Sequence, residues 1–310
     1  MHGGQLIRSV ASHGQAVDTV NDQPHMQGIA EWQPATEGGV FMKKLFAAVI
    51  IILAFIFNMT AVAAATDNTA SYNTNQLSSG IIALAYDAQT DSKLKVMVEK
   101  GDKKVTYNLK NDGTTENFPL QFGDGEYKVS ILENVVDNQY KYVSTENIKL
   151  DLPDEKQLYL ASVQNVNWNV NMVAIIKAKE LTRELKSDNQ KIKAIYDYLV
   201  SNVTYDYDKL TKLSNDYLPN IDNTIASGKG ICYDYASAYA AMLRSLGIPA
   251  KLVKGYSTYV NGYHAWNEVY NSETGRWVVM DTTYDAQMKA AKSKYNMEKS
   301  AGQYTKVFEY

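Results

Sequence analysis

Residues 228–285 hold the side chains in this chain with reactive chemistry. Cys232 is the single cysteine, and it follows Gly228-Lys229-Gly230-Ile231 at the start of a helical pattern. His264 opens one strand-like run and Asp281 closes another. The other three histidines, His2, His13 and His25, lie in residues 1–41, which read as a leader outside the working protein. A thiol, an imidazole and a carboxylate within one block are the parts of a nucleophile–base–carboxylate set. In such a set the histidine moves the proton, and the carboxylate orients the ring.

The elements around these residues must bring them together. Tyr235, Tyr239, Leu243 and Leu246 recur at spacings of three and four, so a helix begins close to Cys232 and stops at Gly247, with Pro249 just beyond. A thiol at a helix start sits at the positive end of the helix dipole, which favours the thiolate. Gly228 and Gly230 permit tight turns and leave room for a substrate. A buried structural cysteine is the competing reading, since free cysteine packs like a small hydrophobe. That reading requires neither a glycine turn nor a histidine partner. Residues 250–256, 264–270 and 277–281 read as strands, and 271–275 as the hairpin turn between the last two. Pairing across that turn sets Tyr270 near Arg276 or Trp277 and brings His264 level with residues 281–283. Asp281 then holds one ring nitrogen while the other faces Cys232.

Composition bounds the alternatives. With 310 residues and 45% hydrophobic content, the chain can build two domains. A net charge of −3 offers nothing to nucleic acid or an anionic membrane surface. One cysteine excludes an internal disulfide framework and a thiol-rich zinc site, and no cofactor is indicated. Asp206, Asp208 and Asp222 lack the spacing and central glycine of a calcium loop. Asp234 reads either as a substrate contact or as a favourable acid in the first helical turn. Trp266 and Trp277 either pack the strands or shield a reaction intermediate from water.

Along the chain, Met42-Lys43-Lys44, an apolar run over 45–57 and the small residues 61–65 form a signal peptide over 42–65. Its apolar run is short for a membrane span, although an uncleaved anchor is the alternative. The product is expected to be secreted, extracellular or cell-wall associated, with no stable membrane association after cleavage. Residues 1–41 then read as translated upstream sequence or a cloning leader. Residues 66–79, rich in Asn, Thr and Ser, read as a flexible mature N-terminus. Residues 80–155 alternate short apolar runs with turn signals such as Asn111-Asp112-Gly113, the pattern of a small antiparallel sandwich. Residues 160–310 form the remaining domain. It opens with a helix over 173–185 and a second helix capped by Ser187 and Gln190, followed by a tyrosine-rich loop over 204–220.

Four motifs in this second domain occur in a recognisable order. They are Gly230-Ile231-Cys232, then Leu243-Arg244-Ser245-Leu246-Gly247-Ile248-Pro249-Ala250, then His264-Ala265-Trp266-Asn267-Glu268-Val269, then Trp277-Val278-Val279-Met280-Asp281-Thr282-Thr283. Together they resemble the transglutaminase-like superfamily over residues 188–285. The resemblance implies an α+β fold, a papain-like core of helices packed on an antiparallel sheet, here preceded by the all-β sandwich. It also implies that Cys232, His264 and Asp281 form a catalytic triad; the Cys232 backbone N–H is assigned as oxyanion donor. The implied enzyme acts on protein or peptide amide bonds through a Cys thioester, most readily as a hydrolase. Protein crosslinking by amine transfer is the near alternative, and a cell-surface binding or adhesion module with an idle triad is the alternative of another class. Residues 304–310, outside the resemblance, read as an added edge strand.

Overall fold

The computed structural model describes residues 17–19, 70–87 and 91–310. The signal peptide expected over 42–65 lies outside the described residues, as does most of the expected leader. Among the described residues no helix is long and apolar enough to cross a membrane.

The N-terminal half is two antiparallel sheets. Strands β1 (Val17–Thr19), β2 (Ser71–Asn73), β3 (Ile81–Ala85), β4 (Leu94–Lys100), β5 (Lys103–Leu109), β6 (Glu116–Pro119), β7 (Gly125–Val136) and β8 (Gln139–Leu150) follow in chain order. They form one sheet in the order β1-β8-β7-β4-β5 and another in the order β2-β3-β6. The sheets meet because apolar residues alternate inward: Ile82, Leu84 and Phe118 from one face join Val96, Val98, Val129 and Ile131 from the other. Strands thus form within the stretch read as alternating apolar runs and turns. One segment departs from expectation. Ser71–Asn73, inside the stretch read as flexible, pairs with β3 in the register Tyr72↔Leu84. Its polar composition hides an edge strand anchored by one apolar side chain, Tyr72, which packs against the core.

The C-terminal half contains helices α1 (Val173–Thr182), α2 (Asp188–Asn202), α3 (Tyr207–Leu210), α4 (Ile221–Ser227), α5 (Cys232–Arg244) and α6 (Thr282–Ala290). Its strands are β9 (Thr204–Tyr205), β10 (Lys229–Gly230), β11 (Ala250–Ser257), β12 (His264–Asn271), β13 (Arg276–Met280), β14 (Glu298–Lys299) and β15 (Tyr304–Glu309). The capping box at Ser187 and Gln190 starts α2 as expected. The segment 204–220, read as a loop, contains β9 and α3. The main sheet is antiparallel in the order β14-β13-β12-β11-β15, and the C-terminal segment supplies its edge. Gly255 makes that edge: a Cβ there would stand 2.1 Å from the Thr305 carbonyl oxygen and 2.9 Å from the Trp266 ring, at the point where the β11–β15 register shifts.

Helix α5 lies against this sheet with all of its residues buried. Ala236, Ala238, Ala240 and Ala241 make it slim enough for close approach. Its last residue, Arg244, is 2% exposed and donates to three backbone carbonyls, Ala250 (2.8 Å), Ala161 (2.7 Å) and Tyr310 (2.7 Å). Burial pushes its guanidinium down to about 9. The core continues into the sandwich, where the Tyr107 ring meets Phe118 at 5.2 Å and Tyr310 at 6.0 Å. Arg244→Met would take a buried donor from each of those carbonyls, with Tyr310 keeping only the Leu252 N–H at 3.0 Å, and a cost on the order of 3 kcal/mol is expected. Denaturant unfolding measures it; a loss below about 1 kcal/mol would mean that water replaces the guanidinium without penalty.

Candidate active site

Cys232 occupies the first position of α5, preceded by Ile231 in extended backbone. The first backbone N–H groups of a helix have no partner within it, so the amides here point at whatever approaches the sulfur. Asp234, fully buried, fixes the turn. Its Oδ2 accepts from the Ile231 N–H at 2.9 Å and from Lys209 Nζ at 2.8 Å, while Oδ1 accepts from the Tyr217 hydroxyl. Both oxygens are therefore occupied by the protein, which favours the helix-start reading of Asp234 over a substrate contact. Gly230 leaves the space this needs, since a Cβ there would meet Asp234 Cβ at 2.8 Å.

The glycine turn also recruits a residue that sequence reasoning missed. Strand β10 pairs in parallel with β9 in the register Gly230↔Tyr205. That pairing brings the Tyr205 hydroxyl into a hydrogen bond with Cys232. Burial pushes the pKa of this phenol up, and the neighbouring Cys232 pushes it further in the same direction, so the hydroxyl keeps its proton. The one sequence signal was the concentration of tyrosines over 204–220.

His264 and Asp281 meet through the hairpin. Tyr270 pairs with Trp277 and Asn267 with Met280, the register expected from the turn. His264 Nε2 lies 2.7 Å from Asp281 Oδ2, and the remaining ring nitrogen is left for the hydrogen bond with Cys232. Asp281 does more than orient the ring. It caps α6, with Oδ1 accepting from the Tyr284 N–H at 2.9 Å, and Oδ2 accepts from the Tyr304 hydroxyl at 3.0 Å.

All three side chains are shielded from solvent: Cys232 is 1% exposed, His264 2% and Asp281 0%. Burial alone would push a proton off His264. The charge and hydrogen bond of Asp281, with those of Cys232, outweigh it and push the imidazole up to about 10. Burial likewise opposes the Asp281 carboxylate, yet His264 and the Tyr284 and Tyr304 donors hold it below its usual value of 3.8. The balance at His264 thus favours the protonated ring.

Of the other candidates, Trp266 stays beside the site and the rest lie away from it. Trp266 packs with Val253 and Val279, its ring 6.2 Å from that of His264. Trp277 lies against Tyr159 and Tyr270 with Lys251 over its face. Asp206 caps α3, and Asp222 accepts from the Ala174 N–H. Among the described residues no group of three His, Cys, Asp or Glu side chains could hold a metal ion. A groove of about 640 Å³ leads to Tyr205, with Val200, Val203, Tyr207, Ala286 and Ala290 in its walls.

The buried pair gives a test. His264, raised, contributes stability that is whole below its ordinary 6.5 and is lost as pH climbs through about 10. Asp281, lowered, contributes above 3.8 and loses that contribution as pH falls through its depressed value. Asp281→Asn keeps the shape of the cap and removes the charge. The unfolding free-energy gap to wild type is expected to be about 3 kcal/mol at its widest. It should be widest between pH 3.8 and 6.5, and close toward pH 10. A gap independent of pH would show that the two groups are not an ion pair.

Comparison with known proteins places this geometry. The family described as the transglutaminase-like superfamily matches residues 177–282. The uncharacterized protein YebA of Bacillus subtilis is 29% identical over 258 residues, covering 70% of this chain and 34% of YebA. Kyphoscoliosis peptidase of Mus musculus is 29% identical over 115 residues, covering 34% of this chain and 17% of the peptidase. The chain spans about a third or less of the length of the curated relatives it matches. Among solved structures, a candidate cysteine protease from Cytophaga hutchinsonii aligns with a TM-score of 0.40 at 18% identity, over 71% of this chain and 72% of that one. Red sea bream transglutaminase aligns with a TM-score of 0.25 at 14% identity, over 65% and 47% of the two chains. Cys232, His264 and Asp281 all fall inside residues 177–282, the segment that matches the transglutaminase-like superfamily.

Proposed function

We propose that this chain is an exported thiol enzyme that cleaves protein or peptide amide bonds through an acyl thioester on Cys232. The observation that carries the reading is the continuous line of hydrogen bonds from Cys232 through His264 to Asp281 in a site closed to water. The superfamily match supports a cysteine peptidase or acyltransferase acting on protein substrates. The Lys-Lys and apolar run at 43–57 supports export.

The sulfur attacks the amide carbonyl carbon, and the carbonyl oxygen takes up negative charge. The Cys232 N–H at the start of α5 donates to that oxygen, where a fixed dipole in a dry site acts most strongly. The Tyr205 hydroxyl, already bonded to the sulfur, is the second donor within reach. His264 holds a proton and delivers it to the departing nitrogen as the C–N bond breaks, leaving a thioester and a neutral imidazole. Water then attacks the thioester carbonyl while His264 takes its proton, and the acid is released with Cys232 regenerated. Asp281 keeps the ring in place through both transfers.

Hydrolysis and amine transfer share every step as far as the thioester and differ only in the acceptor. The first experiment is the rate of iodoacetamide alkylation of Cys232 against pH, in the mature chain and in His264→Ala. Wild type is expected to react roughly tenfold faster at pH 6–7, with the advantage lost in the mutant. Release of peptides from labelled casein, compared with incorporation of a fluorescent primary amine into it, then separates water from amine as acceptor. Cys232→Ala should reduce kcat/KM by about a thousandfold or more. Identical alkylation profiles for wild type and His264→Ala would overturn the enzyme reading in favour of a binding or adhesion module.

A further inference from the structure

A second cavity, of about 80 Å³, lies where the sandwich meets the start of α5. The sandwich contributes Lys95 and Asn108, and the C-terminal half contributes Gln164, Asn165, Asn215 and Lys254. Amides and two lysines line this wall, and no carboxylate does.

Lys254 is unusual. It sits on β11 opposite Ala265, on the side of the sheet that faces α5, and is 7% exposed. Its ammonium stands over the Tyr233 ring at 3.7 Å and the Tyr310 ring at 5.4 Å. Among the described residues it has no hydrogen-bond acceptor and no ion-pair partner. Two aromatic faces offset only part of what burying an unpaired ammonium costs. Burial accordingly pushes Lys254 down to about 7, with Cys232 acting in the opposite direction. Asn165 repeats the theme in the same wall. It is 5% exposed, its Nδ2 donates to the Tyr233 hydroxyl at 2.7 Å, and its Oδ1 is buried without a partner. A chain that keeps an uncompensated cation and an unmatched amide beside its nucleophile is built around something that arrives later.

We infer that this cavity is an anion subsite, in which Lys254 receives a carboxylate of the substrate near the amide bond that Cys232 attacks. The inference rests on the proposed acyl-transfer reading for its link to turnover, though not for binding. The carboxylate has two sources, an acidic side chain or a chain terminus. The side chain of Lys254 supplies the donor and sets the selectivity, while the unpartnered Oδ1 of Asn165 is an acceptor for a substrate N–H beside that carboxylate. Binding replaces water around the ammonium with a charge-assisted hydrogen bond in a site of low polarisability.

The test uses three short peptides titrated by NMR into the mature chain carrying Cys232→Ala, so that nothing is turned over. Ac-Gly-Glu-Gly-NH2 presents a side-chain carboxylate, Ac-Gly-Gly-Gly-OH a terminal one, and Ac-Gly-Gln-Gly-NH2 neither. One of the acidic peptides is expected to bind about tenfold or more tightly than the glutamine peptide, with saturable shifts of the Asn165 side-chain amide; which one binds identifies the source. Lys254→Met, which keeps the volume of the stem, and Lys254→Gln should both erase the difference. Equal affinities for all three peptides, no saturable binding of either acid, or a preference that survives both substitutions would overturn the subsite. Acid-selective binding in a wild-type chain without turnover would leave the subsite standing and remove the catalytic reading. Turnover with no preference for acidic peptides would do the reverse.

Discussion

A single buried carboxylate sets the terms for the C-terminal half. Asp281 has no exposed surface, and its partners come from three separate elements: His264 from β12, the Tyr284 N–H from the first turn of α6, and Tyr304 from β15. A charge in that position is tolerable only while it is surrounded by donors, since an uncompensated buried carboxylate costs several kcal/mol. The hairpin register, the start of α6 and the docking of the C-terminal strand are therefore bound to one another. The same carboxylate favours the protonated imidazole. Structural and chemical demands on Asp281 are thus inseparable, and the strand at the end of the chain belongs to the site as much as the hairpin does.

Helix α5 is the second constraint. A helix buried on every side is normally apolar all round, yet this one carries Asp234, Ser237 and Arg244. Each polar group is matched by a different part of the chain. Asp234 meets Lys209, Tyr217 and the Ile231 N–H; Ser237 donates to the Asn165 carbonyl; Arg244 gathers the connector at Ala161, the strand start at Ala250 and the terminus at Tyr310. From the sheet, Asn267 donates to the Ala236 carbonyl. Apolar packing alone would allow the helix to slide or rotate by a fraction of a turn. The polar matches fix its register, and the position of Cys232 follows from that.

These dependencies explain what could be read in the sequence and what could not. The pairing of His264 with Asp281 was legible because hairpin pairing is local: a turn at 271–275 and strict alternation determine which residue faces which, and Tyr270↔Trp277 follows directly. The helix start at Cys232 was legible from periodicity and a glycine turn. Tyr205 was not, because β9 and β10 form a parallel pair of two residues each, with no turn linking them and no alternation long enough to detect. Helix α4 was lost for a related reason. It spans only Ile221–Ser227, and its cap, Asn220, was read as loop composition. Lys254 was hidden in a run read simply as a strand, since burial of a lysine depends on Tyr233 and Tyr310, which come from distant parts of the chain. Local patterns reveal elements and register; contacts made by tertiary packing carry no signature in a single sequence.

The two spaces beside the nucleophile differ in kind, and that difference bears on mechanism. The groove that reaches Tyr205 sets Val200, Val203, Ala286 and Ala290 beside Ser201, Gln287 and Lys289, while the cavity at Lys254 sets amides and two lysines among Tyr107, Tyr217 and Tyr233. Cys232 is adjacent to both, through its hydrogen bond with Tyr205 on one side and its electrostatic contact with Lys254 on the other. Because the sulfur itself is 1% exposed, a substrate must displace something in order to reach it. An extended peptide that fills the apolar groove and places a charged group in the polar cavity would gain on both sides, and it would exclude water from the carbonyl between them. Coulombic forces strengthen as water leaves. Under the acyl-transfer proposal, binding that orders such a peptide would also sharpen the hold of the α5 amide and Tyr205 on the developing oxyanion, so that recognition and chemistry would share one set of contacts.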